Sequence, residues 1–236
     1  MKHFFKNIIL VLPIFISVHC FGQVPVKSFV QSDIPEEVYA LLRAKVGNKK
    51  IIPPEYEKPI LLALCFFPEL ADIKIEFRIK HVLTPLASRP AWTSIVLKNK
   101  DRKYVITISD KSIKQLFPIL FRSLDFNAQV GVIGHEISHV VDFNNKNTWG
   151  VLRVGLGNLS SKFLDRFEYG TDSICIAHGL GYQLLAWSVF VRKALKHENW
   201  DGADNVNKMM ERERYMNPGT IRRRMMGIAI YKESGQ

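Results

Sequence analysis

The sequence predicts an α+β fold, mainly helical, built around a small antiparallel sheet. Apolar residues recur at helical spacing near the start, alternate with polar ones through a middle stretch, then return to helical spacing for nearly all the remainder. The 236-residue chain is 47% hydrophobic and 23% charged, the balance of a chain that buries a core rather than one that stays disordered. No segment recurs at a fixed period, which excludes a solenoid or propeller.

The opening, MKHFFKNIILVLPIFISVHCFGQ, has the layout of a secretory signal: Lys2 and Lys6, then a short apolar core from Ile8 to Val18 interrupted by Pro13. Residues 1–22 are therefore set apart as a signal peptide or, uncleaved, an anchor. A lipid-modified Cys20 fits less well because the bulky His19 precedes it. Residues 23–236 then form a single exported domain, periplasmic, attached to the cell envelope or secreted. Removing Lys2 and Lys6 lowers the formal charge from +11 to +9, which favours anionic surfaces or acidic substrates. No nucleic-acid motif or basic stripe interleaved with aromatics accompanies that charge, so nucleic acid is not an expected partner. Cys65 and Cys175 are left after removal. A disulfide is open to an exported chain, but both lie in apolar helical patterns, LLALCFF and DSICIA, where buried thiols are the commoner outcome.

PEEVYALLRAKV (35–46) reads as an amphipathic helix opened by Asp33 or Pro35 and closed near Gly47. EKPILLALCFFPEL reads as a second, more buried helix ending at Pro68. ADIKIEFRIKHV alternates over Ile73, Ile75, Phe77 and Ile79, a half-buried strand. WTSIVLKN and RKYVITIS read as two more strands, joined as an antiparallel hairpin by the turn at 98–102. SIKQLFPILFRSL then reads as a helix broken or started at Pro118, and NAQVGVIGHEISHVVDF as a helix capped by Asp125 or Asn127. A glycine-containing loop is expected over 150–157. A long apolar helix is expected over 160–196, bent or split at Gly170, Gly179 or Gly181, and a polar one near 204–214. His178 and Gln183 inside the apolar stretch favour a core helix over a membrane span. Trp149, Trp187 and Trp200 read as packing residues, and the stretches 81–91 and 144–159 show no regular pattern.

The chemistry concentrates in His135-Glu136-Ile137-Ser138-His139, the pattern H-E-x-x-H. Residues four apart share a helix face, so both imidazoles reach one ion, and Glu136 stands one step round, placed to act as a general base on an activated water. The apolar flanks bury this helix, and burying two histidines and a glutamate without a partner is costly. A catalytic zinc takes three protein ligands and leaves one open position. Glu168-Tyr169-Gly170-Thr171-Asp172 supplies a carboxylate and an aspartate at the same spacing: Glu168 as third ligand, Asp172 as acceptor of a ligand histidine's outward N–H. Asp142, seven residues after His135 and on roughly the ligand face, reads as a helix-end charge or, as the alternative, a residue supporting a ligand. No Ser/His/Asp signature, phosphate loop or Cys-x-x-Cys pair competes.

HEISH followed by EYGTD, with 28 residues between His139 and Glu168, resembles the gluzincin clan of zinc metallopeptidases. The resemblance implies a zincin-like domain with Zn²⁺ on His135, His139 and Glu168, Glu136 as base and Asp172 behind a histidine. It also implies an extended peptide or protein substrate pairing with WTSIVLKN or RKYVITIS above the cleft. In the CAAX-protease-like branch a His-Pro segment near the domain's end serves the oxyanion. The tail YMNPGTIRRRM is similar to it, but Asn217 stands where that branch has histidine. Asn217, Tyr215 and His178 are the candidate oxyanion donors, with a turn before Pro218 the plainer role for Asn217. A catalytically degenerate zinc-binding module is the alternative reading. The basic tail at 222–224 and the apolar helix add a peripheral membrane contact as a further expectation. The sequence makes no prediction of oligomeric state.

Overall fold

The helix expected from residue 35 forms as α1 (Glu36–Val46), with Pro35 in extended backbone at its start. Gly47 ends it at φ 80°, and a Cβ there would also lie 2.9 Å from the carbonyl oxygen of Ala71. The computed structural model describes residues 24–157, 159–196 and 214–233. The expected signal at 1–22, most of the polar helix near 204–214 and Trp200 lie outside them.

A two-residue strand β1 (Lys50–Ile51) leads to α2 (Glu57–Leu64), buried from Pro59 onward. The helix stops short of the expected Pro68, and residues 68–70 form a separate 3₁₀ turn with Pro68 at its first position. β2 (Lys74–Ile79) follows the predicted alternation, with Ile75 and Phe77 turned inward. Lys50 Nζ donates to the carbonyls of Leu70, Ala71 and Ile73, and burial lowers its pKa to about 8.

The sheet departs from expectation. Its order is β1-β2-β4-β3, mixed rather than antiparallel: β4 (Lys103–Ile108) runs parallel to β2, and only β3 (Leu86–Pro90) runs antiparallel to β4. The hairpin of WTSIVLKN with RKYVITIS does not form. Residues 92–94 make a 3₁₀ turn, and LASRP, inside the stretch that showed no pattern, takes the place beside β4. The 98–102 turn proves to be more than a connector. Arg102 is fully buried, and its guanidinium donates to the carbonyls of Leu97, Phe143 and Lys146, stapling the strand's entry to the end of a helix.

SIKQLFPILFRSL gives two short 3₁₀ segments (114–119 and 121–123) rather than a helix, with Pro118 inside the first. α3 (Phe126–Asn144) begins as expected, Asp125 accepting from Ala128 N at 2.8 Å. The glycine-containing stretch is not a loop but α4 (Thr148–Gly157), held down by Val151 and Val154. The long apolar stretch splits into α5 (Ser161–Cys175) and α6 (Gly181–Ala194) across a π-type turn in which Gly179 has φ 94°. Gly170 lies within α5 and breaks nothing. By length and composition Ser161–Ala194 could cross a membrane. In the fold, α6 lies against α3 so closely that a Cβ on Gly131 would sit 2.1 Å from the Gln183 carbonyl oxygen. α7 (Pro218–Met226) and α8 (Ala229–Glu233) close the chain, α7 packing on α6. Cys65 and Cys175 are both buried free thiols.

Candidate metal centre

α3 is the buried element of the fold, with α2, α5, α6 and β3 packed around it. Its polar residues His135, Glu136 and His139 therefore sit where only other side chains can satisfy them. α5 meets these residues with Glu168, Thr171 and Asp172 from one of its faces, all buried. Glu168 Oε2 lies 3.1 Å from His135 Nε2 and 3.2 Å from His139 Nε2. The three ligand atoms fall within 4.8 Å of one another. Metal–ligand bonds of about 2.0–2.2 Å in a tetrahedral site place ligand atoms roughly 3.3–3.5 Å apart, near the two separations from Glu168 Oε2 to the histidines.

The hydrogen-bond accounting says what this convergence is for. His135 Nδ1 is 2.8 Å from Asp172 Oδ1, which can only accept, so that nitrogen carries the proton. His139 Nδ1 is 3.1 Å from Thr171 Oγ1, whose own proton goes to the Phe167 carbonyl at 3.0 Å. That hydroxyl therefore accepts from His139 as well. In both neutral imidazoles the Nε2 lone pair then points at the Glu168 carboxylate, lone pairs facing lone pairs. A proton or a cation between them resolves the conflict, and three inward-facing lone pairs from two imidazoles and a carboxylate are the donor set of a divalent metal. Among the described residues this buried His135–His139–Glu168 group could hold a metal ion.

The proton solution leaves its mark on the titration of these groups. Burial lowers the His135 pKa, but its bonds to Asp172 and Glu168 outweigh that and hold it well above the ordinary value. Burial likewise raises Glu168, and the two histidines overcome it, holding the carboxyl far below the usual range. A bound cation would take over the role of that proton.

Aromatic rings fix the ligands. His139 stacks on Phe167 at 4.9 Å between centroids, and His135 is 5.4 Å from the ring of Trp187, a packing residue as expected. Comparison with protein-family profiles, curated proteins and solved structures finds no match to this chain. The site therefore rests on its own geometry.

Glu136, one step round α3, does not join the ligand group. Ser88 of β3 donates to its Oε2 at 2.6 Å, with the Glu136 backbone carbonyl 3.0 Å from the same hydroxyl. β3 is the edge strand. Ala91 N donates to Lys103 O and Ser109 N to Pro85 O, so with the observed register residues 87 and 89 bond to β4. Leu86 and Ser88 then turn their main-chain polar groups to the open edge, while Pro90 has no N–H, is buried, and accepts from Arg89 Nη1. The strand beside the site is therefore β3, not WTSIVLKN or RKYVITIS.

The segment before α7 crosses the site. Met216 N donates to Asp172 Oδ2 at 2.7 Å, and Arg214 pairs with Asp165, bringing the Tyr215 ring 5.7 Å from that of His135. Packing around the phenol and the carboxylates of Glu168, Glu136 and Asp172 raise its pKa, so Tyr215 keeps its phenolic proton. Asn217 caps α7, its Oδ1 accepting from Thr220 N, where the sequence offers a turn before Pro218. His178 uses Nδ1 on the Ile174 carbonyl and Nε2 on Glu69, and stacks on Phe67. Of the three candidate donors, Tyr215 sets its ring against His135, whereas His178 is tied to Ile174 and Glu69. Asp142 pairs with Lys146 at the end of α3, the helix-end charge expected of it. Ser88 and Thr171 were not singled out by the sequence, where a serine in LASRP and a threonine inside EYGTD carry no signal of their own.

Proposed function

We propose that this protein is an exported, zinc-dependent metallopeptidase of gluzincin type, cleaving peptide or protein substrates with Glu136 as general base. The observation that carries the reading is the convergence of three ligand lone pairs beside a glutamate that belongs to none of them. Zinc fits two imidazoles and one carboxylate with a fourth position open, and when bound it supplies Lewis acidity to water and to a substrate carbonyl.

The chain's own residues do the rest. Asp172 and Thr171 hold the ligand histidines in the tautomer that keeps Nε2 free. Ser88 holds Glu136 Oε2, fixing the carboxylate that takes a proton from the attacking water and passes it to the leaving amine. Tyr215 donates its phenolic proton in a hydrogen bond to the developing oxyanion. The outward main-chain groups of Leu86 and Ser88 bind an extended substrate as an added strand, with Ser88 tying that strand to the base.

The test is hydrolysis of a mixed peptide library by the intact chain and by Glu136→Gln. The intact chain should cleave, and the variant should retain metal and lose turnover. Zinc retained by the intact chain without turnover would favour the second reading, a degenerate binding or chaperone-like module. The commitment of His178 to Ile174 and Glu69 supports that alternative, since it draws one of the three candidate oxyanion donors away from the site.

A further inference from the structure

α4 and the turn after β3 present an apolar surface to solvent. Trp149, Leu152 and Leu156 are exposed, and their spacing places them in one stripe along the outer face of α4, while Val151 and Val154 anchor its inner face. Trp149 is 79% exposed, against its expected place as a packing residue, and Trp92 across the groove is 74% exposed. Leu159 and Val96 extend the patch at 89% and 78%. Between the two walls runs a groove of about 950 Å³ lined by Pro90, Ile95, Phe143, Val151 and Leu152 among others. Apolar side chains projecting together on this scale mark an interaction surface.

The charge around the patch identifies what it meets. Residues 86–100 and 143–164 carry Arg89, Lys98, Lys100, Lys146, Arg153 and Lys162 and contain no Asp or Glu. Lys146 pairs with Asp142, and the Arg89 guanidinium lies 5.5 Å from the Trp92 ring centre. Trp149, Leu152 and Leu156 projecting from a short amphipathic helix, with Trp92 across the groove and six cations against the bordering Asp101, Asp142 and Asp165, form the pattern of an interfacial helix in a net positive surround.

We propose that this face docks on an anionic lipid bilayer, with Trp92, Trp149, Leu152, Leu156 and Leu159 entering the headgroup region and the flanking cations meeting lipid phosphates. Protruding rings favour a bilayer over a protein partner, whose anchor would enter the groove and leave the outer stripe of α4 wet. Arg89 and Pro90 belong both to the groove wall and to β3, so docking sets the open edge of β3 beside the membrane surface. Docking itself requires no catalysis and is testable whether or not the chain is a peptidase. The position it gives a substrate, close to the bilayer, rests on the peptidase reading.

The experiment uses the full chain carrying Glu136→Gln, mixed with phosphatidylcholine vesicles with or without phosphatidylglycerol and with brominated acyl chains as quenchers. Residues 1–22 contain no tryptophan, so an embedded N-terminal segment gives no signal of its own. Tryptophan fluorescence should be quenched in the anionic vesicles and much less in the zwitterionic ones. Quenching should disappear in a Trp92→Phe/Trp149→Phe variant. Lys98→Gln, Lys100→Gln and Arg153→Gln should each raise the lipid concentration for half-maximal quenching by about fivefold if its charge reaches the surface. No quenching in anionic vesicles, or quenching that survives the double tryptophan variant, would overturn the proposal. A fluorescence response to an acidic apolar peptide but not to vesicles would do so as well, and would assign the groove to a polypeptide partner.

Discussion

Replacing Asp172 by asparagine keeps size and shape while changing one thing, the number of acceptors. Both carboxylate oxygens are used, Oδ1 by His135 Nδ1 at 2.8 Å and Oδ2 by Met216 N at 2.7 Å, and the residue is 1% exposed. Asparagine offers one acceptor and one NH₂, so one of those two N–H donors must face another donor with no water to turn to. Losing a charge-assisted bond costs about 1.5–3 kcal/mol, and stranding the buried donor about 1–3 kcal/mol more. The metal-free variant should therefore be less stable by roughly 3–5 kcal/mol. With a urea dependence near 3 kcal/mol per molar, its unfolding midpoint should fall by about 1–1.5 M. Asparagine also frees His135 to take the other tautomer, so metal affinity should fall about 10–100-fold. Urea unfolding in chelator and a competitive zinc titration read the two effects separately. A midpoint within about 0.3 M of the parent, together with unchanged affinity, would refute the donor accounting on which the site rests.

Gly131→Ala forces a methyl to within 2.1 Å of the Gln183 carbonyl oxygen and should cost about 1–3 kcal/mol in unfolding measurements. Gly170→Ala, with open space around the new methyl, should gain about 0.5–1 kcal/mol from helix propensity. Ser88→Ala releases Glu136 Oε2 and should lower kcat about 10–100-fold with zinc content unchanged; an unaltered kcat would dismiss Ser88 as a positioning residue. The His178–Glu69 bond should stabilise the fold chiefly between pH 4.5 and 6.5. The His178 pKa is raised, so its share is complete below its unfolded value of 6.5 and lost as pH rises through the folded one. The Glu69 pKa is lowered, so its share is present above 4.5 and lost as pH falls through the folded value. Both side chains are partly exposed, so Glu69→Gln should cost under about 1 kcal/mol inside that window and less outside it in thermal melts.

What the sequence made legible were features with a period. The i,i+4 pairs of α3 and α5 are legible because helix geometry alone puts such residues on one face, and the fold brings His135, His139, Glu168 and Asp172 together. The sheet was less legible. WTSIVLKN is the more apolar segment and reads as a strand, yet LASRP, poor in pattern, pairs with β4. An edge strand buries little, so its pairing is set by register and by its covering helix rather than by alternation. Reading WTSIVLKN as the partner also hid the parallel join of β2 to β4. TWGVLRVGLG reads as a loop because of its three glycines, but Val151 and Val154 anchor a helix there. Ser88 and Thr171 lay beyond reach because single hydroxyls acquire meaning only once the fold sets them against Glu136 and His139.

The most direct measurement is the zinc content of purified, chelator-stripped and zinc-reloaded protein by elemental analysis, set against Glu168→Gln and His139→Ala. The parent should hold about one tightly bound zinc per chain. Each variant should bind it far more weakly, because each removes one of the three converging lone pairs. A folded parent that holds no zinc, or variants that hold it as tightly as the parent, would contradict the assignment of these residues as a zinc site.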